Sequence, residues 1–579
     1  MRLDHSSRPG VPTRAPHRGD RRLLAVASAV GCLALYGGWR LFWFLTDDAF
    51  IAFRYVSNAH LGHGYVWNAP PFLPVEGYTS FLWTVLMDLA WRVTGVEPPD
   101  SANWISLLFA CGTLTLAGRM LLRLDWRERL RPWRAAFLGL MFAYLLLNRT
   151  FLAWSSSGLE TAMFNFLVLL WASAMMSAPA DARRLALAGA AAAALALTRP
   201  DGLLFCTLTA AAVLVVAFGA RDRRVARRLL LAGLSPLAVV VAHEAWRLSF
   251  YGAWLPNTYY AKVTSAWPQS GARYLWSFTL EYALWAVAAV AGWTLVAALR
   301  RGGRLRIPPV GRHELAARAP AAAGVLSLLL HFAYYTFVVG GDHFEFRVYS
   351  HLLPLIFLAV VWSLNRLDRG PKASLAVAGA VLLLSLPLPW THWALTKDLQ
   401  TREQTHVLRM PVAPSWPAPV RWYAAAFDRA QAWLIPHHVG MRHQEHKIFW
   451  QTQLGYYPTR EQGMSLGTSR YATIGLPCVG VPSWMMPHVN IVDVLGLNDY
   501  VIARTPLPSG IDMMAHSRRP PAGYVDSYLP NLLYDGKVWF VRERTPPLTA
   551  AKIAELERTW RERADAGVLR PETSGPQSR

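Results

Sequence analysis

The chain has 579 residues, 53% of them hydrophobic, and a formal net charge of +22. Several uncharged runs approach the roughly 20 residues that cross a bilayer, which excludes an ordinary soluble domain. The charge does not point to nucleic acid. Arginines fill short linkers between apolar runs, at 123–134, 183–184, 221–228 and 300–306, as cytoplasmic loops of membrane proteins do.

In chain order, residues 1–22 are basic and lack an apolar pattern, so a cytoplasmic N-terminus is expected. The run 23–45 ends in YGGWRLFWFL and not in a small-residue cleavage site, which predicts an uncleaved signal-anchor helix. A first outer loop over 46–79 follows. Runs at 80–93 and 104–121 leave room for two spans, whereas an odd number would return the chain to a cytoplasmic 123–134. Sequence alone leaves that parity open, and with it the side on which 123–134 lies. Runs at 135–150, 161–178, 185–197, 203–219, 229–246, 275–299, 321–339, 352–364 and 373–390 then alternate in direction.

The expected fold is a polytopic α-helical membrane protein of roughly ten to twelve spans over 23–390. An extracytoplasmic α/β domain over 391–579 completes it, where Pro, Trp, His and charge rise. That part is long enough to bury its own core. Within it RWYAAAFDRAQAWLI has helical periodicity, while KVWFVRE and VNIVDVLGL read as strands. Trp416, Trp422 and Trp484 are placed there either to stack on sugars or to fill the core. The four cysteines show neither zinc nor disulfide spacing.

On this topology the polar islands fall on one face: TDDAFIAFRY, VEGYTS, SSSGLE, TRPDG, YGAWLPNTYYAK and GGDHFEFR. Charge at a membrane surface is expensive and tends to face a polar cavity. Each island has a plainer reading. Asp47 or Asp48 alone suits a helix N-terminus. Arg199 to Gly202 suits a turn, Asp342 and Arg347 a local ion pair, and Tyr259 and Tyr260 an aromatic belt. Together they suit one site, in which a carboxylate acts as base and arginines grip a phosphate. No GxGxxG or Walker pattern supports a nucleotide donor.

TDDAFIAFRYVSNAHLGHGYVWN and VEGYTSFLW resemble the first outer loop of the GT-C glycosyltransferase superfamily. With SSGLETAMF, LTRPDGLL, FYGAWLPNTYYAK, VVGGDHFEFR and IVDVLGLNDYVIAR, the resemblance runs over about 44–504. It is narrowest to the mycobacterial terminal arabinofuranosyltransferase group. The resemblance implies inverting transfer of a sugar, with arabinofuranose as the single best guess, from a polyprenyl-phosphate donor. The acceptor would be a cell-envelope glycan or a protein, on the outer face of the bacterial inner membrane. It maps the catalytic acids to Asp47 and Asp48, with Asp47 favoured as base, and the acid closing the loop to Glu76. Arg54, Glu76, Tyr78, Glu160, Arg199, Asp201, Asn257, Tyr260, Lys262, Asp342 and Arg347 are the candidate donor and acceptor contacts. Arg199 is the first choice for the phosphate, with Arg347 and Lys262 as further candidates. A divalent cation on Asp47 and Asp48 is the one cofactor left open. Membrane lipids are expected partners and nucleic acid is not. A transporter or lipid flippase, and a non-catalytic envelope or motility assembly factor, are the alternative readings.

Overall fold

A computed structural model describes residues 18–177, 181–262, 265–300, 311–405, 408–467, 471–508 and 513–572. Most of the basic N-terminal stretch and the arginines at 301–306 lie outside the described residues. The protein is helical through its first two-thirds, because a chain in lipid must satisfy its backbone polar groups internally. Seven helices among the described residues are long and apolar enough to cross a membrane, from Gly19–Leu41 to Pro371–Thr396. The bent pair Pro268–Glu281 and Leu284–Arg300 adds an eighth if it is counted as one span. The shorter apolar helices Arg134–Leu146, Thr161–Met175 and Ala182–Thr198 pack among them.

Two features settle what the hydropathy pattern left open. The 80–93 run is a 14-residue helix, Phe81–Thr94, too short to span, so Pro98–Leu122 is the one candidate span between the first loop and the arginine-rich linker. That linker lies at the N-terminal end of the first helix, since Arg134 pairs with Asp20 at 2.7 Å. The last turn of Arg347–Leu367 reaches the same place, where Asn365 bonds the backbone of Asp125 and Arg127. By contrast, the expected span at 275–299 is broken. The chain bends by 85° between its two halves, at Ala283 in the left-handed region (φ 49°). The first half thereby sinks Glu281 into a polar cluster and does not carry it into lipid.

The polypeptide beyond Thr396 is not a detached body. Leu434 and Val439 belong to one core of the helical bundle, and Trp450, Val481 and Trp484 to the other. Its own cores gather around two small sheets. Thr473–Leu476 pairs in parallel with Asn490–Asp493, and Leu532–Tyr534 pairs antiparallel with Trp539–Val541. Helix Ala418–Leu434 packs on Pro268–Glu281. Trp484 is buried, so only Trp416 and Trp422 of the three expected sugar platforms are exposed.

Candidate functional site

The first helix leaves the bundle at Leu41, and the chain is then clamped. Thr46 donates its backbone N–H to the Ser157 carbonyl, while Ser157 donates to that of Phe44. Thr46 has extended backbone geometry and its hydroxyl accepts from Ala49 N–H, so helix Asp47–His60 begins there. Both acids stand in its first turn, where the helix dipole favours negative charge. Almost the whole helix is buried, against the short helix Gly480–Met485 and against Phe81–Thr94. Gly480 is required at that contact: a Cβ there would lie 1.8 Å from the Asp47 carbonyl oxygen.

The adjacent acids have different environments. Asp47 is buried, and its two oxygens accept from Val481 N–H at 2.8 Å and Gly480 N–H at 3.1 Å. Burial pushes its pKa up to about 7, partly offset by those two bonds. Asp48 is half-buried and lines a cavity of about 710 Å³. No side-chain hydrogen bond or ion pair holds it among the described residues. The same cavity is lined by Lys262, Arg402 and Arg519, four histidines and the apolar faces of Ile51, Phe344 and Phe449.

Lys262 ends the short helix Asn257–Lys262 and has no partner among the described residues. Asn257 anchors that helix: its amide donates to the carbonyls of Gly496 and Asp499 at 2.9 Å, and its oxygen accepts from Arg504. His343 and Phe344 reach the cavity from the loop after the π-helical turn Tyr334–Val339. Gly340 and Gly341, with φ of 87° and 104°, let that turn close over Trp267 and Tyr274. The loop is then zipped to 440–441, with Gly440 N–H bonding Asp342 O and Met441 N–H bonding His343 O.

Several sequence candidates are placed elsewhere. Arg54 is fully buried and donates to five carbonyls, of Trp67, Ser483, Met486, Pro487 and Val489, so its guanidinium holds the loop helix to the C-terminal part. Glu76 is buried against Arg247 at 2.7 Å. Tyr78 meets Tyr251, hydroxyl to hydroxyl, at 3.2 Å. The Tyr260 ring lies under Arg504. A separate set forms behind the cavity: Arg199 binds Glu160 at 3.0 Å, Asp201 at 3.2 Å and the Tyr335 hydroxyl at 2.7 Å. Asp201 is also 2.6 Å from His331. Arg347 pairs with Asp342 and lies over Phe344, one ring away from the cavity. Of the thirteen named residues, the cavity collects Asp47, Asp48 and Lys262.

The donor set does not fit a divalent cation. Both Asp47 oxygens are taken by N–H groups, and no three His, Cys, Asp or Glu side chains among the described residues are arranged to hold a metal. Cys478 also lines the cavity, but burial pushes its thiol up to about 12, so it stays protonated. His438, His446, His516, Arg402 and Arg519 come from the C-terminal part and His343 from the GGDHFEFR island, and sequence reasoning singled out none of them. For His438 and His446 the sign was the rise in histidine through PHHVGMRHQEH.

No family model matches the chain. Two curated relatives do. The terminal β-(1→2)-arabinofuranosyltransferase of Corynebacterium glutamicum is 31% identical over 379 residues, 59% of this chain and 51% of the relative. The protein of the same name from Mycobacterium tuberculosis is 30% identical over 360 residues, 57% of this chain and 54% of the relative. The chain thus spans about half the length of the curated relatives it matches. Among solved structures, ArnT from Cupriavidus metallidurans bound to undecaprenyl phosphate aligns with a TM-score of 0.47 at 13% identity, covering 82% of this chain and 87% of that one.

Proposed function

We propose that the protein is an inverting membrane glycosyltransferase, and that Asp48, not Asp47, is its general base. The observation that carries this is the contrast within the acid pair. Asp47 spends both oxygens on the 480–485 helix, while Asp48 stands unbonded in a cavity beside the end of the first membrane helix. The donor is a polyprenyl-phosphate-linked sugar, whose chain lies in the membrane while its phosphate enters the cavity. The names of the two relatives make arabinofuranose the sugar of choice. The acceptor is an envelope glycan or a protein. The cavity end and the polypeptide beyond Thr396 then face outward from the bacterial inner membrane.

In the proposed reaction an acceptor hydroxyl attacks the anomeric carbon as Asp48 takes its proton. The bond from that carbon to the phosphate oxygen breaks, and its electron pair leaves with the phosphate. Lys262 is the cation free to meet that charge, with Arg402 and Arg519 beside it; Arg402 also binds Glu445 at 2.7 Å. Arg199, committed to two carboxylates and a phenol, holds the wall behind the site instead of the donor.

The test is turnover of a polyprenyl-phosphoryl arabinofuranose by the full chain in nanodiscs, with an arabinan oligosaccharide as acceptor. Asp48→Asn is expected to lose about 10²–10⁴ in rate with unchanged melting behaviour. Wild-type turnover by that variant would overturn the assignment.

A further inference from the structure

Four histidines from three separate stretches of chain converge on the cavity that holds Asp48: His343, His438, His446 and His516. Their ring centroids lie 5.2 Å apart for His343 and His446, 4.9 Å for His343 and His516, and 4.8 Å for His438 and His516. The rings of His343 and His516 are oriented by their backbone contacts. His343 Nδ1 is 2.9 Å from the His438 carbonyl, and His516 Nδ1 is 2.6 Å from that of Met514. A carbonyl only accepts, so each Nδ1 carries the proton and donates it. In the neutral ring Nε2 is then a bare lone pair. His446 is buried and its Nε2 has no partner among the described residues.

The uncharged form is favoured at His343, His446 and His516. Four imidazolium rings at these separations repel one another, and burial disfavours the charged form further. Burial holds His343 and His516 below the ordinary histidine range and brings His446 down to about 4; at His343 the neighbouring imidazoles add to it. The charged groups around them do not cancel this. Asp48 and Glu445 favour protonation, while Arg402, Arg347 and Lys262 oppose it, and Arg519 stands on the same wall.

A bare lone pair repels a phosphate oxygen, whereas an N–H donates to it. An anion that enters beside Lys262 and presses on these rings is therefore met by them only if the cluster gains a proton. We infer that the His343–His438–His446–His516 cluster is a proton-linked seat for the donor's phosphate. The seat takes up a proton when the anion binds and donates it as a charge-assisted hydrogen bond to the leaving phosphate. This rests on the glycosyltransferase reading above for the identity of the ligand, but not for the presence of the seat. During transfer the acceptor's proton goes to Asp48 and the electron pair of the broken C–O bond goes to phosphate. The imidazolium faces the oxygen on which that charge collects, so the two protons serve opposite ends of the displacement.

The probe is a polyprenyl methyl phosphate diester. It carries one permanent negative charge and does not itself titrate near neutral pH. Calorimetry on the full chain in nanodiscs, in two buffers of different ionisation enthalpy, counts the protons taken up. We expect uptake of about one proton per diester at pH 7, and tighter binding as pH falls from about 8 to about 6. Asp48→Asn should retain uptake, though reduced, because Asp48 favours the protonated rings without itself being the proton's seat. His343→Gln with His516→Gln should lose it, bind at least about tenfold more weakly and show a flat pH profile. Because the doubled variant is able to misfold, its melting curve is recorded alongside, and the count in the unaltered protein decides the matter alone. Zero uptake on binding, uptake abolished by Asp48→Asn, or diester binding that depends on added zinc would each overturn the seat. Zero uptake with normal sugar transfer sinks this inference and leaves the enzyme reading. Uptake with no transfer of any sugar does the reverse.

Discussion

Two charge-rich regions lie at the same end of the bundle and differ in one respect, whether their charges are answered. In the first, Arg149 and Arg442 face Glu281 and Glu345, all four fully buried, with contacts of 2.5 Å from Arg149 to Glu345 and 2.6 Å from Arg442 to Glu345. Arg442 also grips both oxygens of Glu281. Two cations meet two anions, and the four residues come from four separate stretches of chain. In the second region Asp48 and Lys262 line open space with nothing bound to either among the described residues. Breaking a buried ionic network leaves an uncompensated charge, so such a network binds parts of a fold together. Charges left unanswered beside a cavity add no such cohesion, and in the proposed function they meet the ligand.

That contrast is open to direct attack, and the largest expected effects have opposite readouts. Asp48→Asn should abolish most turnover, by about 10²–10⁴, and leave the thermal unfolding curve in place. Arg442→Met should do the opposite. It strands Glu281 and Glu345 with Arg149 alone, and breaking a buried pair costs about 3–5 kcal/mol. The loss should appear as a lowered melting temperature in nanodiscs, with whatever protein stays folded still turning over. If Arg442→Met left stability intact while removing turnover, the division into pinned and free charges would be wrong.

Within the acid pair the contrast sharpens into a pH effect. The ordinary aspartate value is near 4, and in the folded protein Asp47 stands at about 7. A group raised on folding contributes stability that is complete below its unfolded value. That contribution is lost as pH rises through the folded one. Asp47 should thus cost the protein stability between about pH 4 and pH 7, by at most about 4 kcal/mol. Other buried acids, Glu76 and Asp499 among them, slope the same way. The measurement is therefore a difference: melting temperature against pH for the wild-type protein and for Asp47→Asn. The variant should show the shallower decline over that window. Parallel curves would mean that Asp47 is not buried against the 480–485 helix as described.

How much of this was legible depended on chain distance. The spans of the bundle follow from length and apolarity, properties each segment carries by itself, and the acid pair at the first helix exit is likewise local. The bend at Ala283 was hidden, because hydropathy averages over a turn and reports no direction. Arg54 looked like a ligand because one helix in isolation gives its guanidinium nowhere to go. Its five acceptors include four carbonyls more than 400 residues away in sequence. Arg199's partners were hidden for a similar reason: Glu160 stands at the N-cap of helix Thr161–Met175 and Tyr335 lies in the turn Tyr334–Val339, both distant in sequence. His438 and His446 were visible only as a local enrichment and His343 only as part of GGDHFEFR, since their convergence with Asp48 exists only once the C-terminal part has folded onto the bundle.

The smallest expected effect tests the structural side of the comparison in the first loop itself. Tyr78 lies two residues beyond Glu76, in a segment that the sequence marked for substrate contact. Among the described residues its hydroxyl meets only that of Tyr251, which donates in turn to the Tyr65 carbonyl at 2.6 Å. Tyr78→Phe removes one hydroxyl and keeps the ring, so the edge-to-face packing on Tyr55 survives. Tyr251 retains its own acceptor, and no buried donor is orphaned. The cost should be that of one neutral hydrogen bond, about 0.5–1.5 kcal/mol, seen as a slight drop in melting temperature. The Michaelis constants for donor and acceptor should not change, because the phenol does not line the cavity. A several-fold rise in either constant, with the fold intact, would show that the loop segment between Glu76 and Tyr78 reaches substrate after all and that the site extends beyond the cavity around Asp48.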